Sequence, residues 1–335
     1  MAPIRLALLG SGVFARDAHV PAILTLGDVF EVAAIYSRRA ENAKALAAQL
    51  PYPAAIYTDV DELLKKVDVE AVDIIMPIAL QPGVVEASLA AGKHVISEKP
   101  VAPDVASGKA LLARANQMIH GHSLVWMVAE QFRYFEAYRT AGVMLRRGDI
   151  GRSLQFSWVI SEAMGPDNKS YRTDWRRDNS FCGFIIDGGV HYLAVIRAIM
   201  GEVESVMAYA TQVRPDLPPL DTLSATLRFE NGAFGVFTLT FAAGTSWNSG
   251  IHVAGERGAL RISEDRLEAT INGAPSEQLF SDNPVEAELA DFGRAIRQGG
   301  NTQSPPMEAL KDVAVIEAML DSARLGCQVQ PARIA

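Results

Sequence analysis

Two short segments carry side chains that could move protons. In residues 93–100, KHVISEKP, an apolar run leads directly into Glu98 and Lys99 with no polar loop between. Burial at a strand end would lower the pKa of the lysine amine, although the charge of Glu98 acts in the opposite direction. In the second segment Asp187 and His191 stand four residues apart, which places both on one face of a helix. Because histidine titrates near neutrality, these residues predict acid–base catalysis.

Each of these residues also has a structural interpretation. Lys99 could be a surface lysine at a strand end, His191 a packed helix residue, and Asp187 the cap of a helix that begins at Gly188. Pro100 favours a functional Lys99, because proline restricts the preceding residue to an extended conformation and allows a cis bond that would fix where the amine points.

The first 130 residues alternate short apolar runs with alanine-rich helical stretches. Strands that are apolar on both faces and separated by helices are typical of a parallel sheet covered by helices on both sides. We therefore predict a first domain over residues 1–130. Its strands are expected at 4–10, 30–37, 71–77, 93–100 and 123–132, and its helices at 21–27, 39–50, 59–67, 82–92 and 104–118.

From about residue 150 the pattern changes to successive strands with turn residues between them, which predicts an antiparallel sheet in a second domain over residues 131–335. Asn231-Gly232 predicts a type I′ hairpin turn with positive φ at both residues. Apolar and polar residues alternate over 223–229, so one face would pack on the core, and the other could pair with a second subunit. We expect a homodimer or homotetramer, and two final helices at 283–299 and 307–326.

A glycine motif follows the first predicted strand. The first glycine permits a tight turn, the second leaves room for a pyrophosphate, and the final alanine lets the next helix approach the sheet. Its position after a strand predicts dinucleotide binding rather than an ordinary glycine turn. The motif G-x-G-x-x-A consists of Gly10, Ser11, Gly12, Val13, Phe14 and Ala15.

The end of the second predicted strand indicates which dinucleotide is bound. An NAD site usually has an acidic residue there for the ribose 2′-hydroxyl, whereas this strand ends in Ser37-Arg38-Arg39. A serine hydroxyl and an arginine suit a 2′-phosphate. The sequence therefore favours NADP(H) over NAD(H), with Ser37 and Arg38 as contacts, while Arg39 fits a solvated helix start.

Three motifs together resemble those of the glucose-fructose oxidoreductase/inositol dehydrogenase (Gfo/Idh/MocA) family. They are the glycine motif, AAGKHVISEKP at 90–100, and GFIIDGGVHYL at 183–193, and the likeness continues to the C-terminal helix. The resemblance implies an N-terminal Rossmann domain with a doubly wound parallel sheet. It also implies a C-terminal α+β domain with a large, mostly antiparallel open sheet, and an oxidoreductase that acts on sugars, inositols and related polyols.

The resemblance also implies roles for particular residues. Lys99 and His191 would handle the proton, facing each other across a cleft, with Asp187 at the substrate. Glu98 would lie near the nicotinamide ribose, and Trp175 and Arg176 would close over the cofactor.

The chain departs from the family pattern in two places. Many members have Pro-Asn-x-x-His where this chain has Pro77-Ile78-Ala79-Leu80-Gln81, so Pro77 and Gln81 remain cofactor contacts but Ile78 cannot replace the asparagine. Many members have Asn-x-Arg where this chain has Gln131-Phe132-Arg133. We expect Gln131 to contact the cofactor and Arg133 and Tyr171 the substrate, although aromatic-rich segments are as often core.

Composition excludes several classes of protein. Among 335 residues, 31 basic and 39 acidic side chains give a net charge of −8 and no basic run, so a nucleic-acid surface is not expected. No run has the length of a membrane span, and Cys182 and Cys327 form no disulfide framework, so we expect a cytoplasmic protein. No metal site is expected, since His120 and His122 have no third ligand, and His19 is interpreted as structural.

The leading hypothesis is an NADP(H)-dependent oxidoreductase for a secondary alcohol or carbonyl of a sugar-like small molecule. Two alternatives stay open at this point. One is a reductase for a non-sugar carbonyl or imine, in keeping with Ile78 and Gln131. The other is a non-catalytic NADP-binding regulatory protein, against which the presence of both Lys99 and His191 argues.

Overall fold

The chain divides into two compact units that do not coincide with two halves of the sequence. The computed structural model describes residues 2–65, 68–119, 123–177 and 183–334, so the histidines at 120 and 122 and the cysteine at 182 lie outside the described residues. The first unit comprises Met1–Gln131 and Asn283–Leu310, and the second comprises Phe132–Asp282 and Lys311–Ala335. The sequence did not predict that 283–310 would rejoin the first unit.

The first unit is built on a parallel sheet. Within the described residues its six strands lie in the order β3-β2-β1-β4-β5-β6, and every neighbouring pair is parallel. This is the strand order of a Rossmann fold, in which ligands bind beyond the carboxyl ends of the strands where the order reverses, between β1 and β4. The strands are β1 (Ile4–Leu9), β2 (Phe30–Tyr36), β3 (Ala55–Tyr57), β4 (Ala71–Ile74), β5 (His94–Glu98) and β6 (Trp126–Ala129).

Helices on both faces agree with strands that are mostly apolar and buried. All four residues of β4 are buried, and so are all four of β6. A π-helical turn, Ala15–His19, leads from the glycine motif into the first helix. The helices are α1 (Val20–Thr25), α2 (Ala40–Ala47), α3 (Val60–Leu64), α4 (Gln81–Ala90) and α5 (Val105–Ile119).

The second unit is built on a mostly antiparallel sheet. Among the residues that the structure describes, nine strands form it, with β11 paired to β7 outside the main order β15-β14-β13-β12-β7-β10-β9-β8. Only the pair β7–β10 is parallel among the pairs described. The strands are β7 (Ser153–Ala163), β8 (Val203–Thr211), β9 (Thr222–Phe229), β10 (Phe234–Thr240), β11 (Ala242–Asn248), β12 (Ile251–Gly255), β13 (Gly258–Ile262), β14 (Arg266–Ile271) and β15 (Ala274–Leu279).

The type I′ turn lies at a different Asn-Gly from the one predicted. Between β9 and β10 only Gly232 has positive φ, and Phe229 N–H donates to the carbonyl of Ala233, so the loop has three residues. That geometry is a type I turn followed by a glycine bulge. Asn272 and Gly273 have φ of 50° and 82° and join β14 to β15 as a two-residue loop. The prediction for Asn231 is therefore wrong in turn type, although the hairpin exists.

Helices cover the buried face of this second sheet, onto which Leu223, Ala225, Leu227 and Phe229 point as predicted. Helix α7 has the length and apolar composition of a membrane span, but 78% of it is buried within the protein, and packing in the core accounts for its apolarity. The remaining helices are α6 (Glu136–Arg147), α7 (Gly183–Met200), α8 (Pro284–Gln298) and α9 (Pro306–Leu325).

Helix α8 completes the core of the first unit. The ring of Phe292 stacks on that of Phe30 in β2 at 6.3 Å between centroids. Asn283 caps the helix by accepting a hydrogen bond from the Glu286 N–H.

Candidate active site

The glycine motif has the geometry that a bound dinucleotide requires. Gly10 has φ of 137°, and a Cβ there would lie 2.1 Å from the carbonyl oxygen of Ile75, so no other residue fits. A Cβ on Gly12 would meet no described heavy atom within 4 Å, so its backbone borders open space. Val13 and Phe14 continue into the helical turn. A pyrophosphate could therefore approach the backbone at Gly12.

The end of β2 lies beside this motif. The Ser11 hydroxyl donates to the Ser37 hydroxyl at 2.9 Å, and Ser37 is buried. Arg38 and Arg39 follow it and are exposed. The two arginines are thus placed where an adenosine ribose would reach the end of β2.

Two glutamines predicted to contact the cofactor have buried amide atoms without a hydrogen-bond partner among the described residues. Gln81 begins α4, beyond β4 and Pro77; it is 1% exposed, and neither its Nε2 nor its Oε1 is paired. Gln131, beyond β6, has an unpaired Oε1. Since an unpaired buried amide is costly, these atoms fit a ligand that supplies the missing bonds.

The end of β5 carries Glu98 and Lys99. Glu98 is buried, and its Oε2 accepts a hydrogen bond from the Lys99 N–H at 3.2 Å. Lys99 is half-buried, and the Lys99–Pro100 bond is cis. The Glu98 carboxylate therefore holds the backbone of Lys99.

The structure shows a partner of Glu98 that the sequence interpretation missed. His19, fully buried, lies between two carboxylates, with Nδ1 at 2.6 Å from Asp73 Oδ2 and Nε2 at 2.9 Å from Glu98 Oε1. Burial opposes the charged ring, yet the charges and hydrogen bonds of Asp73 and Glu98 raise the pKa of His19 well above its ordinary value. Asp73 itself, an acid inside an apolar strand, was the signal that could have revealed this pair.

Two further carboxyl groups lie in the same region of the first unit. Glu288 on α8 is fully buried with both oxygens unpaired among the described residues, and burial raises its pKa well above the ordinary value. Glu130 is buried beyond β6 and acts on Glu288 electrostatically. We call His19, Asp73, Glu98, Glu130 and Glu288 the His19 cluster.

In the second unit, Asp187 is paired with Arg176. The Arg176 guanidinium donates from Nε to Asp187 Oδ2 at 2.6 Å and lies 4.1 Å over the ring of Trp175. Asp187 lies within α7, which already includes Gly183, so the alternative that it caps a helix beginning at Gly188 is wrong. The pairing joins a residue expected at the substrate to one expected at the cofactor.

His191 lies one turn after Asp187 on α7. Its ring stacks on that of Phe132, at 4.5 Å between centroids and 20° between planes. This contact fixes the plane of the imidazole, as a proton-handling group requires. His191 belongs to the second unit and Lys99 to the first, and their facing each other stays a prediction.

The two residues expected to contact substrate are engaged within the protein. Arg133, whose side chain is 8% exposed, donates to Asp312 Oδ2 at 2.6 Å, and Asp312 also pairs with the buried Arg197. The Tyr171 hydroxyl donates to Asp216 at 2.9 Å. These geometries favour structural roles for both, and their substrate contacts stay predictions.

Arg133, Arg197, Glu202 and Asp312 form what we call the Arg197 cluster. Burial acts to lower the pKa of Arg197, but the charges of Asp312 and Glu202 outweigh it and raise that pKa.

Among the described residues, no three His, Cys, Asp or Glu side chains are arranged to hold a metal ion.

Comparison with known proteins identifies relatives over most of the chain. The model of the oxidoreductase family with an NAD-binding Rossmann fold (GFO_IDH_MocA) matches residues 4–120, and that of the GFO/IDH/MocA C-terminal domain matches 138–261.

Individual relatives are similar over most of their length. The dehydrogenase FPY6 of Fusarium mangiferae is 32% identical over 96% of both chains. A D-apiose dehydrogenase of Paraburkholderia graminis is 28% identical over 97% of this chain and 88% of its own. The crystal structure of an oxidoreductase from Thermotoga maritima superposes with a TM-score of 0.89 over 98% of both chains, at 33% identity.

Proposed function

The chain belongs to the Gfo/Idh/MocA oxidoreductase family, and we propose that it transfers a hydride between NADP(H) and a secondary alcohol or carbonyl of a sugar, inositol or related polyol. The observation that carries this proposal is the edge of the parallel sheet. There β1 is followed by the glycine motif, β4 by the unpaired amide of Gln81, and β5 by Lys99. A relative that is a D-apiose dehydrogenase supports a sugar-like substrate.

The proposed chemistry divides between cofactor and protein. The nicotinamide, when bound, accepts or donates the hydride. In the oxidative direction the substrate carbon loses a hydride, and the hydroxyl proton passes to the Lys99 amine. His191 exchanges that proton with solvent, and Asp187 orients the substrate. In the reductive direction the same proton returns to the carbonyl oxygen.

Replacing Lys99 tests the mechanism. We expect Lys99→Ala to lower kcat/KM by roughly 10²–10⁴, as loss of a general acid or base does, while NADPH binding is retained. Turnover would be followed by NADPH absorbance with a panel of aldoses, polyols, cyclic ketones and imines. The matched control is Lys109→Ala, an exposed lysine on α5. Full activity of Lys99→Ala would refute this role.

Cofactor choice is proposed to depend on Ser37 and Arg38. A hydrogen bond to a charged group contributes about 1.5–3 kcal/mol, so Arg38→Ala should weaken NADPH binding about tenfold or more and leave NADH binding unchanged. Arg39→Ala, the equally exposed neighbour, serves as the control. Titration calorimetry with both nucleotides makes the measurement, and equal losses for NADPH and NADH would contradict the assignment.

The second unit is proposed to form a homodimer or homotetramer through the outer face of its sheet. Tyr209 on β8 is 77% exposed and Phe234 on β10 is 59% exposed, and Met207 and Val236 project from the same strands as exposed residues. Apolar side chains in this alternation suit burial against a second copy. A sedimentation mass of one chain would contradict the proposal.

A further inference from the structure

His19 occupies a position that no catalytic or cofactor role explains. It ends the π-helical turn that follows the glycine motif, and its ring is fully buried. Its two nitrogens reach two different strands, with Asp73 on β4 and Glu98 on β5. One ring thus joins the helical turn after the glycine motif to β5, the strand that precedes Lys99.

The donor and acceptor chemistry of this contact requires a proton. A neutral imidazole has one donor and one acceptor nitrogen, and an ionised carboxylate cannot donate. Since both nitrogens of His19 face carboxylate oxygens, both hydrogen bonds form together only if the ring is an imidazolium or one carboxyl group is protonated. The raised pKa of His19 agrees with an imidazolium.

The charged groups that act on the ring are acidic, and the ring of Phe14 packs edge-on against it at 5.2 Å between centroids. Asp73 and Glu98 face the ring directly, Glu288 approaches it from α8, and Glu130 lies beyond β6 near Glu288. A cation at His19 offsets the charge of Glu98, whose other oxygen holds the Lys99 N–H. A charged carboxylate that is bonded on both oxygens has one fixed position.

We propose that His19 is a positioning residue for Lys99. The doubly protonated ring of His19 holds Glu98 in place against the backbone of Lys99. This inference rests on the proposed function, in which Lys99 handles the proton. It adds that the His19 side chain holds the helix after the glycine motif in register with β5, the strand that precedes Lys99.

Two amide variants separate the hydrogen bonds of the ring. The amide nitrogen of glutamine reaches about as far as Nε2, so His19→Gln can keep the bond to Glu98. The amide nitrogen of asparagine reaches about as far as Nδ1, so His19→Asn can keep only the bond to Asp73. Both variants remove the same positive charge and place an amide in the same buried site, so each serves as the other's control for the loss of charge.

The expected difference is in turnover rather than in cofactor binding. A misplaced catalytic group costs about 10²-fold, so kcat of His19→Asn should fall about 100-fold while that of His19→Gln stays within about tenfold of the unaltered protein. The NADPH dissociation constant should be equal in the two variants. Equal losses of kcat in both, or no loss in His19→Asn, would overturn the inference.

Lys99→Ala distinguishes failure of this inference from failure of the proposed function. If Lys99→Ala keeps full activity, the proposed function fails in its mechanism. If Lys99→Ala is inactive while the two His19 variants are equal, only the positioning role fails.

A measurement on the unaltered protein covers the case in which the variants do not fold. Nitrogen-15 NMR of the imidazole rings should show both nitrogens of His19 protonated between about pH 6 and 8, where an ordinary histidine loses its proton. A ring with one unprotonated nitrogen over that range would overturn the proposal.

Discussion

The two units each bury a cluster of charges, and the clusters are built from different chemical groups. In the Arg197 cluster two guanidinium groups share Asp312, at 2.6 Å from Arg133 and 2.5 Å from Arg197. Guanidinium groups stay charged at any pH that a folded protein meets. In the His19 cluster one imidazole bonds two carboxyl groups, those of Asp73 and Glu98. Asp73 Oδ1 and both oxygens of Glu288 are unpaired among the described residues.

This difference separates a cluster of permanent cations from a cluster whose cation itself titrates. The guanidinium charges persist at every pH, so the pairing in the second unit changes only where Asp312, whose pKa is raised by burial, takes up a proton. Groups whose pKa values are raised by burial make the first unit sensitive to pH beside the residue proposed to move protons.

Removing the shared acid of the Arg197 cluster should have the largest effect. Asp312→Ala leaves two buried guanidinium groups without their common partner, which costs about 3–5 kcal/mol of unfolding free energy. Urea unfolding should show similar losses at each pH at which Asp312 is ionised, and a smaller loss where Asp312, whose pKa is raised by burial, takes up a proton. The control on the same helix is Asp321→Ala, whose exposed pair with Arg324 should change stability by no more than about 0.5 kcal/mol. A loss that varies steeply with pH while Asp312 is ionised would remove the contrast.

Removing a titrating acid of the His19 cluster should change the pH dependence instead. Because the pKa of Glu288 is raised, the folded chain keeps a proton that the unfolded chain has lost. The contribution of Glu288 to the free energy of unfolding is therefore complete below the ordinary glutamate pKa. It falls as the pH rises through the pKa that Glu288 has in the folded chain. Glu288→Gln should abolish this fall. The gain at alkaline pH should be about 1.4 kcal/mol for every pH unit by which the folded pKa of Glu288 exceeds its ordinary value.

Urea midpoints measured from mildly acid to alkaline pH make this comparison. Glu286→Gln, a less buried acid on the same helix, should keep the pH slope of the unaltered protein. An unchanged slope in Glu288→Gln would show that Glu288 is ionised and paired, and the first unit would then resemble the second.

The smallest effect is expected at the rim of the Arg197 cluster. Glu202 pairs with Arg197 at 2.7 Å, but its side chain is 45% exposed, so solvent screens the interaction. Glu202→Gln should cost at most about 1 kcal/mol, and less in high salt. Unfolding at low and high ionic strength tests this, and a loss as large as that of Asp312→Ala would mean that the cluster acts as one unit.

Local patterns account for the features that the sequence predicted well. Alternating apolar runs and helices, the glycine motif and the Glu-Lys-Pro element each depend on residues close in the chain, and they predicted the parallel sheet and the candidate residues at its edge. The hairpin between β9 and β10 was predicted for the same reason. Its turn type was not, because the number of residues in a loop depends on strand register.

The features that the sequence did not predict depend on distant partners. His19 bonds to residues 54 and 79 positions away, so its own neighbours in the chain give no sign of its surroundings. The sequence near Arg133 predicts a substrate contact, and only the fold shows that Arg133 pairs with Asp312, 179 positions later. Asp187 similarly gains a partner in Arg176 through a fold that no short pattern describes.

The return of residues 283–310 to the first unit has a consequence for synthesis on the ribosome. The contact of Phe30 with Phe292, and the completion of the His19 cluster by Glu288, cannot form until roughly 150 further residues have been added beyond position 131. At about 5–20 residues per second that interval is about 8–30 s. During this time the nascent nucleotide-binding unit exposes the apolar surface that α8 later covers, and this surface is where a chaperone would bind.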